Sequence, residues 1–123
     1  MNTKKLKDAI EVLKSDLGPA LISCDIYPTG VGTPLVGFNS NPQAAALFDQ
    51  VTGYIVKALD GSGFPLLDDY YMMDLKDNNL VVVLIFDDYQ WDMLIDKDKV
   101  NLGLLLSIAL PNAKKAMVEA IKG

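Results

Sequence analysis

Residues 41–59 read NPQAAALFDQVTGYIVKAL, and the rest of the chain can be arranged around them. The side-chain oxygen of Asn41 can cap a helix, and Pro42 suits the first helical position because the N–H that it lacks would have no partner there. Gly61-Ser62-Gly63 marks the end of the helix. Apolar residues between these signals recur at steps of three and four, which predicts one helix face over the core: Ala44, Phe48, Val51, Ile55 and Leu59.

The opposite side of this helix carries small residues among its polar ones. Ala46 and Gly53 lie nearly in line along the helix, with Gln50 and Lys57 beside them. A glycine inside a helix costs about 1 kcal/mol relative to alanine. Close approach of the same helix from a second copy would explain Gly53, and the alternative is a glycine tolerated on a solvated face.

The composition argues against several functional classes. The 123 residues are expected to form one domain, residues 1–123, and the net charge of −5 disfavours nucleic acid and anionic membranes as partners. There is no arginine and no histidine, so the chain lacks an arginine finger and the commonest general base and metal ligand. No apolar run approaches the ~20 residues of a membrane span. We therefore expect no enzyme activity, no cofactor and no membrane insertion.

The single cysteine, Cys24, lies among apolar residues of a predicted strand. It has no second cysteine to pair with, so an internal disulfide is excluded. We expect a buried, unreactive thiol and a protein of the reducing cytoplasm.

The order of elements predicts an α+β fold, a sheet with helices on both faces. Strands joined by tight turns should be antiparallel. Pro111 is expected to kink the last helix near Ser107, and the alternative is a strand over 102–110 with a helix starting at Pro111. The predicted helices are 4–17, 41–59 and 102–121, and the predicted strands are 20–27, 35–38, 66–75, 80–86 and 91–95.

Acidic and glycine-containing motifs do not build a convincing catalytic or metal site. Asp96-Lys97-Asp98 resembles the start of a calcium loop, but Val100 stands where an oxygen ligand is needed and no glutamate closes the loop. Asp68-Asp69 and Asp87-Asp88 are interpreted as solvated strand ends or an acidic contact patch. Gly30-Val31-Gly32 lacks the context of a phosphate-binding loop.

The chain resembles the roadblock/dynein light chain family over essentially its whole length. The most specific match is residues 96–105, DKDKVNLGLL, where an acidic turn precedes the last helix, and residues 37–42, GFNSNP, also fit bacterial members. Pro111 departs from the family's uninterrupted last helix. The resemblance implies a five-stranded antiparallel sheet in the order 2-1-5-4-3, with the central helix on one face and the N- and C-terminal helices on the other, as in profilin-like folds.

The resemblance also implies a homodimer, or a heterodimer with a paralogue, joined through the third strand and the central helix. Family members commonly bind Ras-like small GTPases, so the expected function is a non-catalytic cytoplasmic adaptor or regulator of such a GTPase. The alternative is a small-ligand sensor with a pocket over the sheet. The predicted dimer interface consists of Ala46, Gln50, Gly53, Lys57, Tyr70 and Met72.

Overall fold

A computed structural model describes residues 2–123, which form a single five-stranded sheet flanked by helices. Helix α1 is followed by a short 3₁₀ turn, and α2 separates the first two strands from the last three. The elements are α1 (Thr3–Leu17), β1 (Leu21–Pro28), β2 (Val36–Phe38), α2 (Pro42–Asp60), β3 (Tyr70–Leu75), β4 (Asn79–Ile85) and β5 (Tyr89–Asp96).

The sheet has the order β2-β1-β5-β4-β3, and all neighbouring strands are antiparallel. This confirms the predicted fold class and strand order. The N-terminus of α2 is capped as predicted, since Asn41 Oδ1 accepts a hydrogen bond from the Ala44 N–H at 3.1 Å. Strand β3 lies at one edge of the sheet, because β4 is the one strand that pairs with it in the part of the chain that the structure describes.

The third strand is shorter than predicted, since it begins at Tyr70 and not at Leu66. Its partner β4 ends at Ile85, whose N–H reaches the Asp69 carbonyl at 2.8 Å, so the chain before Asp69 has no strand to pair with. The fifth strand begins earlier than predicted, at Tyr89, because Phe86 and Tyr89 already pair across a two-residue turn.

The last helix runs without interruption from 102 to 122, so the alternative of a strand over 102–110 is wrong. It consists of α3 (Leu102–Leu104), a π-helical segment (Leu105–Ala109) and α4 (Leu110–Lys122). The wider π turn lies immediately before Pro111, and the Leu110 N–H bonds to the Leu105 carbonyl, five residues back. A widened turn is a known way for a helix to accommodate a residue that cannot donate a hydrogen bond.

Most of the core lies between the sheet and the terminal helices. Residues such as Leu13 of α1, Trp91 of β5 and Met117 of α4 are completely buried there. The α2 side holds only a small buried cluster around Phe48, Val81 and Val83.

The prediction of which α2 residues face the core is only partly correct. Its buried residues are Ala45, Phe48 and Thr52, so the side facing the sheet is narrower than the apolar arc in the sequence. Four residues expected in the core are only half-buried: Ala44, Val51, Ile55 and Leu59.

Candidate functional site

A set of large apolar side chains is exposed on α2, on the loop that follows it and on β3. Tyr54 is 64% exposed and Phe64 72% exposed, although both are aromatic. Exposed apolar surface of this extent typically marks a binding site for another protein. We call it the α2–β3 surface, and it consists of Leu47, Tyr54, Val56, Phe64, Leu66 and Leu75, with Tyr70 on the same strand as Leu75 but on the opposite face of the sheet.

The outer edge of β3 adds backbone hydrogen-bonding groups to this surface. Its six residues, YYMMDL, include no proline or lysine that would discourage pairing with another strand. An edge strand of this kind can extend the sheet into a second chain.

The predicted dimer residues fall into two groups. Ala46, Gln50, Gly53 and Lys57 are all exposed on α2. Tyr70 and Met72 lie on the other face of the sheet: Tyr70 borders a cavity shared with α4, and Met72 packs against the main core. The six residues therefore do not form one patch on one copy, although the β3 edge lies between the two groups.

The two small residues on α2 have different surroundings. The chain's own β1–β2 loop approaches Ala46, because a Cβ atom at Gly32 would lie 3.2 Å from the Ala46 Cα. This close approach within one chain accounts for a glycine at position 32. A Cβ atom at Gly53 would have no neighbour within 4 Å, so one copy gives no reason for a glycine there.

Two buried carboxylates lie beneath the N-terminal half of α2. Asp25 and Asp92 are paired in the register of the neighbouring strands β1 and β5. They are only 1% and 5% exposed. Asp92 Oδ1 accepts a hydrogen bond from the Asp25 N–H at 3.0 Å, and Asp25 Oδ2 accepts one from the Asn41 N–H at 2.8 Å. Asp25 Oδ1 and Asp92 Oδ2 have no hydrogen-bond partner among residues 2–123.

Sequence analysis missed this pair, although a signal was present. Each aspartate stands between two apolar residues of a strand, Asp25 between Cys24 and Ile26 and Asp92 between Trp91 and Met93. Aspartate is depleted in strands, so its presence inside two of them indicates a particular role.

Burial shifts the pKa values of several groups near the two carboxylates. Burial, followed by the nearby Asp25, raises the pKa of Asp92 to about 7, although the hydrogen bond from the Asp25 N–H acts in the opposite direction. Burial also raises the pKa values of Tyr27 and Tyr71. Near neutral pH, Asp92 is thus poised between its two protonation states.

Gly37 of β2 makes room for Asp25, its partner in the strand register. A Cβ atom at Gly37 would overlap Asp25 Oδ1 and would lie 2.9 Å from the Cys24 carbonyl oxygen.

We expect Gly37→Ala to lower the free energy of unfolding by roughly 1–3 kcal/mol, because overpacking forces the surrounding backbone to shift. Urea unfolding followed by circular dichroism measures this loss. Gly61→Ala is the control, since a Cβ atom there meets only ordinary contacts at 3.6 Å and beyond. Equal stabilities for the two variants would contradict the proposed crowding.

A polar network fixes the β1–β2 loop against α2. Asp49 Oδ1 accepts hydrogen bonds from the Gly30 N–H at 2.9 Å and from Gln90 Nε2 at 3.1 Å, and the Tyr27 hydroxyl donates to Gln90 Oε1 at 3.3 Å. Asp49 of α2 therefore links the helix to both the loop and β5.

A cavity of about 230 Å³ separates α2 from the sheet beside the two buried carboxylates. Its lining is mostly apolar, and it contains no lysine. The lining residues are Ser23, Asp25, Asn41, Ala44, Leu47, Phe48, Leu75, Val81, Asp92, Met93 and Leu94.

The acidic motifs noted in the sequence have structural roles or are exposed. Lys114 Nζ donates to Asp69 Oδ2 at 2.5 Å, which raises the pKa of Lys114. Asp96 Oδ1 accepts from the Asp98 N–H and thereby closes a turn. No group of three or more His, Cys, Asp or Glu residues within 2–123 could hold a metal ion.

The Cys24 thiol is buried, and burial raises its pKa to about 11. It is therefore a poor nucleophile. No helix within residues 2–123 combines the length and the apolar character needed to span a bilayer.

Solved structures with roadblock folds are similar to this chain. Myxococcus xanthus MglB superposes with a TM-score of 0.82 at 11% identity, covering 98% of this chain and 90% of its own. A structure described as MglB with a tetrameric arrangement gives 0.65 at 12% identity, covering 91% and 92%. The roadblock/LC7 domain from Streptomyces avermitilis gives 0.64 at 13% identity, covering 91% and 97%.

These superpositions confirm, at the level of the fold, the resemblance found in the sequence. No protein-family model and no curated protein sequence matches the chain.

Proposed function

We propose that this chain forms a homodimer that binds and regulates a Ras-like small GTPase in the cytoplasm, without catalysing a reaction itself. The α2–β3 surface carries the proposal, because it places exposed apolar side chains beside an open strand edge on a roadblock fold. The roadblock/dynein light chain family, which the sequence resembles, commonly binds GTPases of this kind.

In the proposed dimer, the β3 edges of two copies pair and the two α2 helices lie side by side. Pairing would satisfy the free backbone groups of Tyr70–Leu75. It would also continue the sheet across both copies, so that Tyr70 and Met72 meet their counterparts on one face while α2 meets α2 on the other. The open space at Gly53 would then receive the backbone of the second helix.

The regulation would act through differential affinity for the two nucleotide states of the GTPase. A rigid dimer surface that binds one switch conformation more tightly shifts the population toward it. The chain has no arginine to insert into a GTPase active site. Any acceleration of hydrolysis would therefore come from repositioning the groups of the GTPase itself.

The dimer is tested with two substitutions at Gly53. The first reports on the helix of an isolated monomer, and the second reports on the contact between two monomers. In an isolated copy, Gly53→Ala should raise the free energy of unfolding by about 1 kcal/mol, because alanine is the better helix former and its Cβ meets nothing. In a dimer with close helix approach, Gly53→Leu should separate the copies and halve the mass in solution. Sedimentation equilibrium measures that mass.

Lys115→Leu is the matched control, since it adds a leucine at an exposed position of α4, away from the seam. We expect its mass to equal that of the unmodified dimer. An unmodified protein that is already monomeric, or a Gly53→Leu variant of unchanged mass, would count against the seam.

The partner is tested by capture from the lysate of the source organism, with tagged protein in GDP or in a non-hydrolysable GTP analogue. We expect a Ras-like GTPase, identified by mass spectrometry, in only one of the two nucleotide conditions. The Gly53→Leu variant should capture less of it. Capture of no GTPase in either condition by the folded, dimeric protein would contradict the proposal.

A small-ligand sensor is the second candidate function. The cavity between α2 and the sheet favours it, because it is partly enclosed by apolar side chains and bordered by two buried carboxylates.

A further inference from the structure

The cavity beneath α2 is bordered by negative groups that lack a counterpart. Asp25 Oδ1 and Asp92 Oδ2 are buried without hydrogen-bond partners, and both residues line the cavity. A buried carboxylate oxygen left without a partner is energetically costly. The arrangement is therefore incomplete unless a proton or a positive group is supplied from outside.

No other group within residues 2–123 supplies that positive charge. The titratable side chains that the two carboxylates influence are Cys24, Tyr27 and Tyr71, and none of them carries a positive charge. The cavity lining contains no lysine, and the sequence has no arginine or histidine. In the free protein, repulsion between the two carboxylates is avoided while Asp92 keeps its proton.

We propose that this cavity binds a small primary amine, whose ammonium group sits against Asp25 and Asp92 and whose apolar body lies along α2. The ammonium has three N–H donors, and Asp92 Oδ2 is the unpartnered oxygen proposed to accept from it, whereas Asp25 Oδ1 packs against Gly37 of β2. Leu47, Phe48 and Leu94 offer apolar surface to the rest of the ligand. The proton held by Asp92 leaves to solvent when the ammonium takes its place.

The cavity dimensions and lining set the class of ligand. A volume of about 230 Å³ is below the roughly 300–1,000 Å³ of drug-sized sites, so the ligand has a single ring or a short chain. A divalent metal ion fits less well, since Ca²⁺ takes about 6–8 oxygen ligands and most of this lining is apolar.

The site is also connected to the α2–β3 surface. Leu47 and Leu75 belong to that surface and also border the cavity. Asp25 accepts a hydrogen bond from the Asn41 N–H at the start of α2. Occupancy would therefore act on the position of α2. The amine site itself needs neither a GTPase nor a dimer, so its test is independent of the proposed function.

The test uses the full purified chain with benzylammonium chloride as the probe and benzyl alcohol as its uncharged isostere. We expect benzylammonium to shift the amide resonances of Ser23, Asn41 and Leu94 in a saturable way, and benzyl alcohol to leave them almost unchanged. Asp92→Asn should weaken binding by at least about tenfold, because it removes a charge-assisted hydrogen bond.

Asp88→Asn is the matched control, since it removes one exposed carboxylate from the β4–β5 turn. It should bind benzylammonium as the unmodified protein does, and the amide spectrum of each variant verifies its fold. Equal binding of the alcohol and the amine, equal binding by Asp92→Asn, or the same resonance shifts with Mg²⁺ alone would overturn the proposal.

Calorimetry gives a second, independent readout of the same site. With the pKa of Asp92 at about 7, binding near pH 6 should release close to one proton, and binding near pH 8 should release almost none. Titrations in buffers of different ionisation enthalpy measure that number. Binding without proton release at the lower pH would also overturn the proposal.

Discussion

Asp92→Asn should have little effect on stability below about pH 4 and should stabilise the protein increasingly as the pH rises to 7 and above. The pKa of Asp92 is about 7 in the fold, against an ordinary value of 3.8. Between these values the native state holds a proton that the unfolded chain releases, so the contribution of this group to stability is largest at low pH and is lost as the pH rises through 7. At higher pH, native Asp92 carries a buried charge beside Asp25.

Asparagine keeps the acceptor for the Asp25 N–H and adds an N–H₂ group that can donate toward Asp25. Because the shift is about three pKa units, the gain at pH 8–9 is up to about 4 kcal/mol. Chemical unfolding of both proteins from pH 4 to pH 9 measures the difference. Asp88→Asn, at an exposed turn position, should show a nearly constant difference, and a pH-independent difference for Asp92→Asn would contradict the raised pKa.

This variant also connects stability with the proposed amine site. The ionised Asp92 carboxylate destabilises the fold near neutral pH, and a bound ammonium group would offset this destabilisation by neutralising the charge. We therefore expect benzylammonium to raise the stability of the unmodified protein at pH 8 more than that of Asp92→Asn. Many proteins sacrifice stability in this way at positions that serve binding.

Leu13→Ala should lower the free energy of unfolding by about 2–5 kcal/mol, the usual cost of removing a buried leucine side chain. Leu13 is completely buried between α1 and the sheet, within the core that includes Trp91 and Met117. Thermal or urea unfolding measures the loss. A large loss would show experimentally that the face of the sheet covered by α1 contributes strongly to the core.

Ile55→Ala on α2 is the matched comparison, because it removes a similar volume from a helix that the sequence places at the centre of the fold. Ile55 is only half-buried, so at concentrations that favour the monomer we expect a loss of about 1 kcal/mol. Losses of equal size at both positions would contradict the unequal division of the core. A loss at Ile55 that grows with protein concentration would indicate burial in the dimer.

Local signals determined the secondary structure. Asn41 and Pro42 fix the start of α2, and the polar turns between the last three strands predict an antiparallel arrangement. These features depend on residues that are close in the chain. The strand order came from the resemblance to the roadblock family, and the structure confirms it.

The π-helical segment before Pro111 was not predicted, although the proline indicated an irregularity there. A kink, a break and a widened turn all accommodate the missing N–H. The packing of Leu105 and Ala109 against the core accompanies the widened turn. A sequence pattern cannot distinguish these outcomes, because they differ in tertiary contacts and not in local propensity.

By itself, the sequence determined the number and order of the elements, the limits of α2, the presence of one buried thiol and the absence of arginine and histidine chemistry. Only the tertiary structure decided that the larger core lies beneath the terminal helices and that Asp25 meets Asp92, 67 positions away in the chain. The physical reason is that burial and pairing of this kind depend on the register between distant strands and on which sheet face each helix covers. Neither is encoded in the spacing of neighbouring residues.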